Sequence, residues 1–233
     1  RDPAAFARLG LDRWQVVTLQ EPALAERAVQ AFRGAGAVSW AEPDSQARAA
    51  SNPGDPLFGY QWWADNDGSI GAAAHAGADV QALDAWALET GDGSVVVAVL
   101  DSGVNLGSPE LSGRLWTNAG EIPGNGIDDD GNGYADDVHG YDFVNLDGDP
   151  EDDYGHGSNV AGIVAAEAGN GIGFVGACWN CQVMALKNLD SSGDGYYSDF
   201  IPSIVYAADN GAQLINLSSG GYDVSQALHD AVA

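Results

Sequence analysis

The chain has 233 residues, enough for one domain of ordinary size with a small companion, and its 45% hydrophobic content and seven tryptophans are those of a packed protein rather than a disordered one. Its charge is lopsided: 34 acidic side chains stand against 8 basic ones, a formal net charge of -26 at pH 7 that repels nucleic acid and anionic lipid and favours divalent cations where carboxylates converge. No apolar run reaches the roughly 18 residues of a membrane-spanning helix, and the chain starts at Arg1 without a charged-then-apolar leader, as a processed product or a portion of a longer polypeptide would.

In chain order, WQVVTL at 14–19 predicts a strand, and PALAERAVQAF at 22–32 has helical spacing with Pro22 at its start. Gly34 and Gly36 then break the helix before AVSW, a second short strand at 37–40. SQARAASNPGD at 45–55 lacks periodicity and reads as a linker. After Val80 the rhythm changes. VQALDAWALETG predicts a helix closed by Gly91, SVVVAVLD at 94–101 a strand, and HGSNVAGIVAAEAG from His156 a helix. CQVMALKNL, DFIPSIVYAADNG and AQLINLSSGG continue as strand, helix and strand, and YDVSQALHDAVA starts another helix. The β-branched run before Asp101 is of the kind buried on both faces of a parallel sheet. Strand and helix in alternation predict an α/β fold: a doubly wound, mostly parallel sheet with helices on both faces, preceded by a small α+β segment. Catalytic groups in such sheets gather at the carboxyl ends of the strands.

Two positions carry chemistry of that kind. Asp101 comes where the VVVAVL strand runs out, and Ser102-Gly103 lets the chain turn sharply away. A carboxylate there is partly buried and needs a partner. An imidazole supplies one, because the carboxylate accepts its ring N–H, fixes the tautomer and stabilises the imidazolium formed when the ring takes a proton. His156 lies between Gly155 and Gly157 at a helix start, whose positive end favours a neutral ring. His75, His139 and His229 have no such setting.

Between these two positions, NGIDDDGNGYADD at 125–137 sets Asp128, Asp130, Asn132 and Asp136 at the first, third, fifth and ninth places of an EF-hand-like loop, with Gly133 at the turn. His139 stands where a glutamate would close a true EF-hand, so the loop is an incomplete version. The two cysteines sit as Cys178-Trp-Asn-Cys181. A redox pair, half a metal site, a tight disulfide and two reduced thiols all fit that spacing.

The VVVAVLDSGV and YGHGSNVAGI blocks together resemble the aspartate and histidine blocks of the subtilisin-like (S8) serine proteases, whose triad runs Asp, His, Ser along the chain. The family's His-Gly-Thr-His-Val-Ala-Gly is matched at all but two positions, where Ser158 replaces threonine and Asn159 a histidine that is not the catalytic one. By that resemblance Asp101 and His156 are catalytic. DNGAQLINLSSGG at 209–221 resembles the family segment whose strand edge lines the substrate cleft, which implies that Ser218, Ser219 and Gly220 pair with an extended peptide backbone. DFVNLDGDPED at 142–152 resembles the calcium-binding loop ahead of the histidine in thermitase-like members, which makes Asp142, Asp147 and Glu151 ligands, with Asn145 and Asp149 as further donors. No counterpart of the Gly-Thr-Ser-Met-Ala nucleophile block occurs in the 233 residues. Asn170 follows the His156 helix too directly to be the oxyanion asparagine, so the resemblance puts both groups beyond Ala233 and implies that this chain alone is inactive.

The resemblance also divides the chain. Residues 1–44 match the last part of an inhibitory propeptide, 45–54 a linker, and 55–233, from DPLFGYQWW onward, the N-terminal portion of a catalytic domain. It implies an exported serine endopeptidase that binds Ca2+, with a protein or peptide substrate, its own propeptide segment and the remainder of the catalytic domain as partners. Two other readings use the same residues: a non-catalytic, calcium-stabilised peptide-binding relative, and a calcium-braced structural module.

Overall fold

A computed structural model describes residues 13, 15–36, 38–43, 53–69, 71, 74–221 and 223–233. The chain divides into two compact units, Arg1–Ala49 and Ala50–Ala233.

In the first unit the predicted helix forms as α1 (Ala25–Gly34), entered through a 3-10 turn at Pro22–Leu24. The two flanking strands do not. Among the described residues, 15–19 and 38–40 pair with nothing, and most of 15–19 is exposed. Strand propensity without a partner strand cannot satisfy backbone N–H and C=O groups, so water keeps them. Arg33 instead ties α1 to the following segment, donating to the Ala41 carbonyl at 2.8 Å with its guanidinium 4.7 Å from the Trp40 ring. Trp14, Ala37 and the linker positions 45–52 lie outside the described residues.

The second unit is built on a four-stranded parallel sheet. The apolar run before Asp101 forms β1 (Val96–Asp101), buried at every position. With β2 (Gly140–Asp142), β3 (Gln182–Lys187) and β4 (Leu214–Leu217) it makes a sheet of order β2-β3-β1-β4. Asp101 is in register with Lys187 of β3, and Leu100 with Leu217 of β4. Only β2 has no counterpart among the predicted elements, because three residues are too few to show a period.

Side chains alternate across the sheet, as a strand requires. Val96, Ala98 and Leu100 join Met184 and Leu186 on one face and pack on Ile204, Tyr206 and Ala207 of α4 (Tyr197–Asp209). Val99, Val183 and Ala185 form the other face, against Ala161 and Ala165 of α3 (His156–Ala165). Each fully buried leucine or valine here contributes roughly 1.5–3 kcal/mol of hydrophobic stabilisation before entropy is counted. On α3 the buried residues are Gly157, Ala161 and Ala165, four apart, a stripe of small side chains that brings the helix close to the sheet.

A third cluster packs Trp86 of the short α2 (Ala82–Trp86) with Ala64, Ala82, Val175, Phe58, Trp63 and Trp179. The helix predicted through Gly91 stops at Trp86, because residues 89–91 turn back toward the Cys178–Cys181 loop. There the Thr90 carbonyl accepts the Trp179 N–H, and Gly91, at φ +80°, faces the Cys178 sulfur where a Cβ would collide. The two cysteines form a disulfide, with Cα atoms 5.5 Å apart, which resolves the choice their spacing left open. The chain's last described helix is α5 (Gln226–Val232), capped by Ser225. Among the described residues, no helix is long and apolar enough to cross a membrane.

Candidate active site

β1 delivers Asp101 to the carboxyl end of the sheet, fully buried, and α3 begins with His156 directly opposite. The chain reaches that helix through Gly155 at φ +98°, a left-handed conformation that favours glycine. His156 Nδ1 lies 2.7 Å from Asp101 Oδ1. The acceptor is a carboxylate oxygen, so Nδ1 carries the proton and Nε2 is left as the basic nitrogen. Oδ1 also accepts the Ser102 N–H at 2.8 Å, whereas Oδ2 is buried without a protein partner. His156 remains 44% exposed at its side chain, open to a reactant on its far side.

Three further groups hold this end of the sheet together, and of these the sequence pointed only to Gly157, as a flank of His156. Lys187, 1% exposed, points its ammonium at the Ser102 and Leu189 carbonyls and at Asp153, a buried cation joining two strand ends to the loop before His156. Asp152 accepts hydrogen bonds from Ser102 and Ser158 on either side of the site. Gly157 packs so closely that an added Cβ would lie 2.0 Å from the Gly103 carbonyl oxygen. A lysine ending an apolar strand was a visible signal for the first; the link from Asp152 to Ser102 and the packing of Gly157 on Gly103 depend on contacts far apart in sequence.

Ser218, Ser219 and Gly220 follow β4 at the same end of the sheet as Asp101, since β1 and β4 are parallel. β4 pairs with β1 on one side only and is largely exposed, so its outer edge is free among the described residues to receive an extended chain. Asn216 donates to Ser218 Oγ at 2.8 Å.

The acidic loop is arranged differently from an EF-hand. Asp128 and Asp130 converge with Glu121, a residue outside the sequence pattern, so that their carboxylate oxygens come within 4.8 Å of one another. Asp136, at φ +56°, turns its carboxylate to the backbone N–H groups of Asn125 and Gly126 instead. Asn132 donates to Asp137 and accepts from the Tyr134 N–H. Asp137 is wholly buried and also accepts from Asn118 and from the Tyr206 hydroxyl of α4. Burial, and then the bond to Asp137, push the Tyr206 phenol far above its ordinary range.

The donor chemistry of the Glu121 cluster suits a hard cation. Glu121 accepts from the N–H groups of Asp129, Asp130 and Asp136, and Asp128 from those of Gly131, Asn132 and Gly133. A carboxylate offers about four lone-pair sites, so each keeps acceptor capacity for an ion. Asp142, Asn145, Asp147, Asp149 and Glu151 line a single concavity with Asp153 and Lys187. Asp142 is tied there by the N–H groups of Val144 and Asn145, and Glu151 by that of Leu106.

Residues 92–233 match the model of the subtilase family, Peptidase S8. The chain is 34% identical to the thermophilic serine proteinase of Bacillus sp. strain AK1 over 89% of its own length and 43% of that protein's. It is 32% identical to thermitase of Thermoactinomyces vulgaris, over 72% of its length and 52% of thermitase's. Among solved structures, a protease from Pseudoalteromonas arctica PAMC 21717 superposes with a TM-score of 0.55 at 27% identity, covering 78% of this chain and 55% of that one. The chain thus spans about half or less of the length of these relatives. With that family model matched over more than half of its length, the chain belongs to the subtilase family of serine peptidases.

Proposed function

We propose that Asp101 and His156 are two members of an Asp-His-Ser triad in a serine endopeptidase. The observation that carries this reading is the 2.7 Å bond from His156 Nδ1 to a fully buried Asp101 at the carboxyl end of a parallel sheet. In the complete site, His156 Nε2 takes the proton of a serine hydroxyl as that oxygen attacks the peptide carbonyl, and Asp101 holds the tautomer and stabilises the imidazolium. The imidazolium then gives the proton to the departing amine, and water hydrolyses the acyl-enzyme by the same steps in reverse. The extended substrate lies along β4 and Ser218–Gly220, pairing main chain to main chain.

The serine and the oxyanion donor are not supplied by these 233 residues, so on this reading the polypeptide alone does not turn over. Residues 1–44 act as the end of an inhibitory propeptide, 45–54 as its linker and 55–233 as part of the catalytic domain, a reading supported by the division into units near residue 49. Calcium is held by Glu121, Asp128 and Asp130, and by Asp142, Asp147 and Glu151 with Asn145 and Asp149; when bound it supplies positive charge that neutralises crowded carboxylates. Such a protein works outside the cell, where calcium is plentiful and a disulfide persists.

The test is to assay the polypeptide extended by whatever its gene encodes after Ala233. The expected result is casein hydrolysis and fluorophosphonate labelling that fall about 10⁴-fold in Asp101→Asn, with no label on residues 1–233 alone. Stoichiometric labelling of residues 1–233 would overturn the assignment of the nucleophile. A stop codon directly after Ala233 would favour the non-catalytic peptide-binding relative.

A further inference from the structure

We propose that Asp152 is a positioning residue that fixes His156 against Asp101. Its carboxylate reaches both sides of the histidine. Oδ1 accepts the Ser102 hydroxyl at 2.8 Å and the N–H groups of Tyr154 and Gly155 at 3.1 and 2.8 Å. Oδ2 accepts the Ser158 N–H at 2.8 Å and its hydroxyl at 2.5 Å. Ser102 Oγ in turn accepts the Gly157 N–H at 2.9 Å, while the Ser102 N–H donates to Asp101 Oδ1.

Four residues around His156 are therefore tied to one carboxylate: Tyr154, Gly155 and Ser158 directly, and Gly157 through Ser102. The same Ser102 is covalently next to Asp101. The chain thus clamps the backbone on both sides of the base to the backbone of its partner, and the distance between ring and carboxylate follows from that clamp. Only an ionised carboxylate can accept at both oxygens from so many donors at once.

The plainer alternative is that Asp152 caps α3. The helix has no cap bond from its N-cap residue, Gly155, and the Ser158 N–H is one of the otherwise free donors of its first turn. A cap, however, needs no link to the strand. The hydroxyl of Ser102 makes that link, and removing it separates the two roles. The role assigned to Asp152 rests on His156 acting as the base, but the measurement below does not depend on turnover.

The experiment is proton NMR of the 233-residue chain with ¹⁵N-labelled histidine, observing the Nδ1 proton held between His156 and Asp101. It should appear at low field in the wild-type chain and vanish in Asp101→Asn. In Ser102→Ala, which keeps the Asp152 cap on Ser158 and at the helix start gives up only the acceptor of the Gly157 N–H, and in Asp152→Ala, its exchange with water should quicken several-fold. Asp152→Asn, which keeps one acceptor oxygen, should restore part of the protection, and far-UV circular dichroism should report an unchanged helix content in Ser102→Ala. If Asp152→Ala does not fold, Ser102→Ala decides alone. A resonance that persists with unchanged exchange in Ser102→Ala overturns the role of Asp152 while leaving the Asp101–His156 pair intact. A wild-type chain without the resonance overturns the pair, and this proposal with it.

Discussion

The end of the sheet and the acidic loop at 118–137 lie close in sequence but are organised by different forces. β1 is buried at every position and its last residue, Asp101, is placed by packing on both faces of the sheet. The 118–137 loop has no helix or strand, and its shape comes from carboxylates and amides that cap backbone N–H groups. The first region resists changes of shape. The second gathers carboxylates, with Glu121, Asp128 and Asp130 converging.

Glycines separate the two most sharply. In Gly157→Ala the new methyl would lie 2.0 Å from the Gly103 carbonyl oxygen and 3.1 Å from Asp101 Cβ, so α3 or the sheet end must shift. The expected loss is about 3 kcal/mol, a fall in melting temperature of roughly 6–12 °C for a chain of this size. Gly133→Ala, in the loop, meets no atom within 4 Å and is strained only by its φ of +97°, which costs about 1–2 kcal/mol. Equal losses in the two variants would break the contrast between packed and charge-held regions.

Calcium removal acts on the carboxylate-lined loops rather than on the packed sheet. With calcium at about 100 times its dissociation constant, binding stabilises the fold by about 2.7 kcal/mol, so excess EGTA should lower the melting temperature by roughly 5–10 °C. Glu121→Gln should remove part of that dependence by weakening one cluster. A calorimetric melt that is the same with and without EGTA would mean that the loops hold themselves without an ion.

The smallest effect concerns Asp152, at the end of the sheet. Burial alone would raise its pKa, but hydrogen bonds from Ser158, Gly155 and Ser102 outweigh burial and hold it below the ordinary 3.8. A folded-state value below the unfolded one stabilises the fold in full above 3.8 and is lost as pH falls through the lower value. The stability gap between the wild-type chain and Asp152→Asn in urea melts should therefore be flat from about pH 5 to 8 and narrow as pH falls below 3.8. A gap that persisted in acid would assign the effect to shape rather than charge.

Much of the second unit could be read directly from residue order. The VVVAVL run, the helix after His156 and the strand ending in Lys187 all lie where their periods predict, because each is long enough to show a period and is buried along it. The strands read in the first unit failed for the converse reason. WQVVTL and AVSW have strand composition, but among the described residues neither has a neighbour to pair with.

At the candidate site, local motifs named Asp101 and His156, and their surrounding glycines told how the chain would turn there. The same motifs could not say that Glu121 rather than Asp136 would join Asp128 and Asp130, since that choice depends on where the 118–121 turn folds back. They could not say that Lys187 would be buried between two strand ends, or that Asp152 would reach Ser102 across the loop. Sequence alone determined the family, the main strands and helices of the second unit and the pairing of Asp101 with His156, because these are written in short blocks whose physics is local. The tertiary structure decided which carboxylates converge and which groups hold the histidine in place, because those contacts form only when segments distant in the chain pack against one another.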